Sequence, residues 1–144
     1  MHASDTEIVR HLHASDIKIV MRLIELAKKS DMNNKHACII IDCKGKIISS
    51  GFNRSLNKSK SEYGDYTRKN KISKHAEENA LRNVDLKKLN GAKLYVIRYG
   101  IHDTNPLLMN SKPCKNCERL IEKCIRNYGL ERVYYSTNET NINI

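Results

Sequence analysis

Apolar residues recur at helical spacing through SDIKIVMRLIELAKKS, residues 15–30, where Ile17, Val20, Met21, Leu23, Ile24 and Ala27 share one stripe. Ser15 or Asp16 stands where the N-cap belongs. The stripe begins inside a duplication: HASDTEIVRHL at 2–12 is followed by HASDIKIVMRL at 13–23, and Ile8, Val9 and Leu12 match Ile19, Val20 and Leu23. The offset of eleven residues is about three helical turns, so both copies can turn the same side chains to one face. Two copies are too few for a solenoid, which takes about three repeats to bury its core. The second copy is therefore read as the start of a helix, and residues 1–14 as an N-terminal arm or a short helix.

The period then changes. ACIII at 37–41 and KIISSGF at 46–52 are β-branched runs separated by DCKGK, a Gly-containing turn, which together predict a hairpin. Residues 53–74 show almost no apolar periodicity, and a loop of that length in a compact domain is functional or disordered. A helix is predicted over about 75–84, a buried strand in AKLYVIRY (92–99), and a connecting loop in GIHDTNPLLMNSKP (100–113). CKNCERLIEKCIRNYG (114–129) is an amphipathic helix closed by Gly129, and ERVYYS (131–136) is the last strand. A hairpin followed by alternating helices and strands predicts a mixed sheet with helices packed on its faces.

Composition narrows the reading further. At 144 residues, 40% of them hydrophobic and 29% charged, the chain suits one domain over 1–144, with 137–144 as a C-terminal tail. No apolar run approaches a membrane span, and the opening MHASDTEIVRHLHASDIKIV lacks a secretory pattern, so the expected location is cytoplasmic. Five cysteines cannot all pair within the chain, and metal binding or burial explains them better than disulfides. The formal charge of +10 would steer phosphates or nucleic acid toward the surface, although a solvated Lys-rich surface accounts for it equally well.

The candidate chemistry sits in two stretches, KHAEENALRNV (74–84) and SKPCKNCERLIEKC (111–124). Pro113-Cys114-Lys115-Asn116-Cys117 puts two thiols in the first turn of a helix, where unpaired N–H groups and the helix dipole favour thiolate. A lone C-x-x-C also occurs in redox motifs. With His75 as a third donor, however, the set leaves a fourth tetrahedral position for water, the catalytic arrangement of zinc. Residues 75 and 77 of a helix point about 200° apart, so Glu77 need not compete for the metal and can exchange protons with water and substrate. Taken alone, Glu77 reads first as an acidic residue at a helix start, and Asn53 as a turn residue.

HAE followed by PCKNC resembles the zinc-dependent cytidine/deoxycytidylate deaminase superfamily, whose signature is H-x-E…P-C-x-x-C. The resemblance runs from about Ile17 to Ser136, and the His ligand makes the chain similar to the deoxycytidylate, tRNA-adenosine and riboflavin-pathway branches. It implies a three-layer α/β/α cytidine deaminase-like fold with a mixed four- to five-stranded sheet. It also implies zinc on His75, Cys114 and Cys117, proton transfer by Glu77, a sugar or base contact from Asn53, and a backbone N–H of Ala76 on a ring carbonyl. Cys38, Cys43 and Cys124 are expected to be buried or incidental thiols, and His36 and His102 to have surface or core roles.

Three departures stand out. Lys112 occupies the position before Pro-Cys where the family has Glu or Ser, the segment 100–112 is longer than in close relatives, and only TNETNINI follows Ser136. The sheet is thus expected to have four strands, or a fifth stub from NINI. The loop 54–74 carries Arg54, Lys58, Lys60, Arg68, Lys69, Lys71 and Lys74, with Tyr63 and Tyr66, which suits a nucleotide phosphate or a nucleic-acid backbone.

The expected activity is hydrolytic deamination of a cytosine-type base on a nucleotide such as dCMP or CMP, releasing ammonia, and the resemblance implies a homodimer. Alternatives are a tRNA or other polynucleotide deaminase, and an inactive zinc-stabilised nucleic-acid-binding module. Because residues 54–74 contain neither Cys nor His, the second zinc that deoxycytidylate deaminases often carry there has no ligands. Elemental analysis of the purified protein should return one zinc per chain, and a value near two would contradict this assignment.

Overall fold

The computed structural model describes residues 9–11, 16–55, 73–102 and 105–138, and of 9–11, 73, 74, 102, 105 and 106 the backbone alone. The elements in chain order are β1 (Val9–His11), α1 (Ile17–Ala27), β2 (Lys35–Ile41), β3 (Ile47–Phe52), β4 (Arg54–Ser55), β5 (Ser73–Lys74), α2 (Ala76–Arg82), a 3-10 turn (Leu86–Lys88), β6 (Lys93–His102), β7 (Asn105–Met109), α3 (Lys115–Tyr128) and β8 (Arg132–Tyr135). Five strands lie side by side in the order β1-β8-β6-β2-β3. β2 is antiparallel to both its neighbours, while β8 runs parallel to β6 and to β1. The sheet is therefore mixed, as expected.

Strand alternation divides the core in two. Ala37, Ile39, Tyr95 and Ile97 face α1, which buries Val20, Leu23, Ile24 and Ala27 against them. Cys38, Ile40, Leu94, Val96 and Val133 face the other way, toward Ala76, Ala80 and Leu81 of α2 and Ile121 and Cys124 of α3. This gives the three-layer arrangement. Met21, expected in the α1 stripe, is 46% exposed and lies beside it. Asp16 holds the N-cap position without a side-chain capping bond, and Ser15 lies outside the described residues. Gly129 ends α3 in the left-handed conformation at φ 79°, as its position in the sequence predicts.

Two segments differ from expectation. Val9–His11, in the first copy of the duplication, form a strand parallel to β8 and not a short helix. The outer edge of β8 presents unpaired backbone groups, and satisfying them outweighs the helical spacing of the repeat. The fifth strand thus comes from the N-terminal side of the sheet, while NINI lies outside the described residues. Residues 100–113 are not a loop throughout: β6 runs on to His102 and turns back as β7, pairing Arg98 with Met109 and His102 with Asn105. Leu108 is buried opposite Tyr99, which anchors the returning strand to the α1 face. Pro106, which argues against a strand in sequence, is tolerated at the edge of a sheet.

Because β2 pairs with β6 over residues 93–99, β7 and β8 must both lie on the opposite side of β6, end to end. Two buried serines join the ends. Ser111 N–H donates to the Ser136 carbonyl at 2.8 Å, its hydroxyl donates to the Val96 carbonyl at 3.0 Å, and the Ser136 hydroxyl donates to the Met109 carbonyl at 2.6 Å. This junction holds the chain two residues before Pro113.

The start of α2 is held just as closely. A Cβ on Gly51 would lie 2.8 Å from the Ala80 nitrogen and the Asn79 Cβ, and 2.9 Å from the Ala76 carbonyl oxygen. Only glycine lets the helix rest directly on β3, where the Ser49 hydroxyl also donates to the Ala80 carbonyl at 2.6 Å. Gly51→Ala should therefore push α2 off the sheet, costing about 1–3 kcal/mol of stability and weakening zinc affinity together with it. Thermal unfolding and competitive zinc titration of the variant check both effects.

Candidate active site

Two helices begin at the same place. His75 is the residue before α2 and Cys114 the residue before α3, with Cys117 in the first turn of α3. Cys114 Sγ lies 3.5 Å and Cys117 Sγ 3.3 Å from His75 Nδ1. All three donor atoms fall within 4.8 Å of one another. Tetrahedral zinc with nitrogen at about 2.0–2.1 Å and sulfur at about 2.3 Å separates its ligand atoms by roughly 3.5 Å, so the donor set fits the ion in spacing and chemistry. The Cys117 N–H points at Cys114 Sγ, 3.5 Å away, and supports negative charge there.

Cys38, Cys43 and Cys124 stay outside this cluster. Cys43 is exposed in the hairpin turn, while Cys38 and Cys124 are buried in the core. Burial pushes the Cys38 thiol well above its ordinary range, and the carboxylate of Glu77 and the sulfur of Cys117 add to the effect. Cys117 is raised by burial first and by Glu77 and Cys114 after it. Without a metal, its thiol is protonated at neutral pH.

Glu77 is 5% exposed and lines a cavity of about 290 Å³ together with His75, Ala76, Cys114, Asn53 and Lys112. Burial pushes its carboxyl up to about 7, the nearby charge of Glu78 pushes the same way, and its own backbone N–H opposes them. A cation bound beside it acts in the lowering direction. Glu78 is also buried; it accepts from the His75 N–H at 3.5 Å and pairs with Arg82 at 3.2 Å, bracing the first turn of α2.

Asn53 reaches the cavity, but its side chain is largely committed. Its Oδ1 accepts from the His36 N–H at 2.8 Å, and its Nδ2 donates to the Asn34 carbonyl at 2.7 Å and contacts Met32 Sδ at 3.5 Å. It ties residues 32–34 to the sheet and retains one acceptor lone pair on Oδ1.

His36 is the residue the sequence reading misplaces. It lines the cavity with Met32 and Asn34. Burial lowers its imidazole to about 4, helped by the Arg98 guanidinium and by His75, while a hydrogen bond to the Asn34 backbone opposes them. It is thus a neutral ring at physiological pH. The signal was available: β2 begins at Lys35, two residues before the apolar run, and His36 shares the parity of Cys38 and Ile40, which face α2 and α3. Of the basic segment, residues 56–72, with Lys58, Lys60, Arg68, Lys69, Lys71, Tyr63 and Tyr66, lie outside the described residues, as do the side chains of Lys74 and His102.

No helix among the described residues is long and apolar enough to cross a membrane. Over residues 13–137 the sequence matches the family described as the cytidine and deoxycytidylate deaminase zinc-binding region. Among solved structures the chain is similar to dCMP deaminase from the cyanophage S-TIM5 in complex with dCMP and dUMP, at 21% identity and a TM-score of 0.49, over 87% of this chain and 83% of that one. It is similar to cytidine deaminase from Burkholderia pseudomallei at 19% identity and a TM-score of 0.43, over 76% of each chain. RibD from Acinetobacter baumannii shares 20% identity at a TM-score of 0.46, over 86% of this chain and 36% of that one. No curated protein sequence matches significantly.

Zinc binding must displace the proton held on Cys117, so affinity should fall as pH falls and each zinc bound near pH 7 should release at least about one proton. Calorimetric titration of the metal-free protein in buffers of different ionisation enthalpy measures that proton directly; Cys117→Ser should lose both the proton release and most of the affinity.

Proposed function

Because the chain belongs to the cytidine and deoxycytidylate deaminase zinc-binding family, we propose that it hydrolyses the exocyclic amine from a cytosine-type base carried on a nucleotide such as dCMP or CMP. One observation carries this reading: the buried carboxylate of Glu77 opens onto the same cavity as His75 and Cys114, two of the three clustered metal donors. A structural metal site has no use for a carboxylate at that position.

Zinc held by His75, Cys114 and Cys117 supplies the Lewis acidity that makes water nucleophilic at neutral pH. Glu77 accepts one proton of the attacking water and delivers it to the ring nitrogen beside the amine-bearing carbon, then takes the proton of the newly added hydroxyl and passes it to the amine as the C–N bond breaks. Water and the aminopyrimidine thus become ammonia and a ring carbonyl. A carboxyl poised near 7 by burial is matched to both directions of transfer. The N–H of Ala76, in the first turn of α2, serves a ring carbonyl oxygen, as unpaired helix-start donors do. Asn53 meets a substrate hydroxyl through the lone pair left on Oδ1, and its main duty is to hold Met32 and Asn34 as one wall of the cavity.

Ammonia release should be measured on cytidine, CMP, dCMP, single-stranded DNA and tRNA with zinc-loaded protein. The mononucleotides should turn over, and Glu77→Gln should retain zinc yet lose at least about 10²-fold in kcat. Turnover confined to tRNA or single-stranded DNA would shift the substrate to a polynucleotide, and no turnover of any substrate would replace the enzyme with a zinc-stabilised binding module.

A further inference from the structure

Away from the metal donors, exposed cations gather around the turn that joins β2 to β3. Lys44, Lys46, Lys87 and Lys88 line a cavity of about 530 Å³ between that turn and the 3-10 turn, with Ile47 and Ile48. Lys18 and Arg22 line a second, of about 500 Å³, between α1 and the hairpin, with Ile39 and Ile41. Ile47 belongs to both, so the two cavities flank the same stretch of chain. β3 is the edge strand of the sheet, and the charged surface therefore wraps around that edge. From His36 to Asp42, β2 carries the chain about 20 Å, which puts this belt at the opposite end of the strand from the Glu77 cavity.

Little on the protein answers these charges. Asp42 is the one acid lining either cavity. Its Oδ1 accepts from the N–H of Lys46 at 2.8 Å and of Lys44 at 2.9 Å. The Lys46 N–H first, then the Lys44 N–H and the two lysine charges, hold its carboxyl below the ordinary range. Asp85 caps the 3-10 turn by accepting from the Lys87 N–H at 3.1 Å. Both acids thus serve the backbone of turns. Among the described residues no ion pair takes up Lys18, Arg22, Lys44, Lys46, Lys87 or Lys88.

The geometry points to this belt as a docking surface for the phosphate backbone of a nucleic-acid duplex, separate from the catalytic cavity and independent of what that cavity deaminates. A small anion reaches one cavity at a time, whereas cations wrapped around a sheet edge match a polymer that presents a charge about every 1.7 Å of its axis. No Phe, Tyr or Trp lines either cavity. Unpaired bases would have nothing to stack on, while a double helix keeps its bases stacked within and offers phosphates outside. A lipid surface fits less well, because Ile47 is the one exposed large apolar side chain among the lining residues. The contact reads charge and shape and carries no base sequence.

Fluorescence anisotropy of a labelled duplex of about 20 base pairs tests this on zinc-loaded protein, with a single strand of the same length and anionic phospholipid vesicles for comparison. Four phosphates neutralised give a slope of about −3.6 in log affinity against log salt, a loss of roughly 10²-fold between about 50 and 200 mM. Lys44→Gln with Lys46→Gln, and Lys87→Gln with Lys88→Gln, should each flatten that slope by about one to two units. Arg119→Gln with Lys123→Gln removes the same charge from exposed positions on α3 and should change the slope little. Excess dCMP should leave the duplex bound. A slope unmoved by the two lysine pairs, or moved equally by the α3 pair, would overturn the belt. So would displacement of the duplex by dCMP, which puts the polynucleotide in the catalytic cavity, or tighter binding to the single strand or to vesicles. Every readout is binding, so a protein that deaminates nothing tests the belt equally well.

Discussion

Three donor atoms on segments about forty residues apart must reach one point within a few ångströms, and the described fold serves that requirement. His75 precedes α2 and Cys114 precedes α3, so each donor sits where a helix leaves its first N–H groups unpaired. Both helix starts are pinned to the sheet by short contacts and not by bulk packing alone. Gly51 brings α2 onto β3 with no room for a Cβ, and Ser111 and Ser136 weld the chain before α3 to the ends of β6, β7 and β8. Beneath them, Cys38, Ile40, Leu94, Val96 and Val133 form a dry floor shared by both helices. A shift of either helix along that floor would separate nitrogen from sulfur.

The same floor sets the electrostatics. Glu77 and His36 are both buried beside the donor set, and burial moves each toward its neutral form: the carboxyl upward, the imidazole downward. The cavity therefore holds a carboxyl poised near neutrality and an imidazole that stays neutral there, instead of fixed charges. Fixed charge enters at its border, with Lys112 and, behind Asn34, Arg98. Neutral groups beside the donor set and permanent charge at the rim form a division that a low-dielectric interior favours.

The extension of β6 and its return as β7 changes how the Cys114–Cys117 pair is delivered. The serine junction closes the gap between β7 and β8 with hydroxyls that satisfy backbone carbonyls of three different segments. Every buried polar group there has a partner, which makes the junction rigid in spite of its polarity. On the far side of β8, β1 covers an edge that would otherwise present open backbone groups.

Much of this was legible in the order of the residues. The α1 stripe from Ile17 to Ala27, the hairpin around DCKGK, the helix closed by Gly129 and the donors His75, Cys114 and Cys117 follow from short-range periodicity and from the chemistry of single side chains, both of which are local properties. Tertiary structure decided the rest. Val9–His11 carry a helical repeat and yet pair as a strand, because the edge of β8 has backbone groups to satisfy. Residues 100–113, polar and interrupted by Pro106, look like a loop until Leu108 finds Tyr99 across the sheet. Asn53 becomes a brace for residues 32–34, and His36 and Arg98 become neighbours at the cavity only through the register of β2 with β6. Register is a long-range quantity, set by where distant strands bury their apolar faces. The sequence therefore named the three clustered donors, and the packing of the sheet chose which residues surround them.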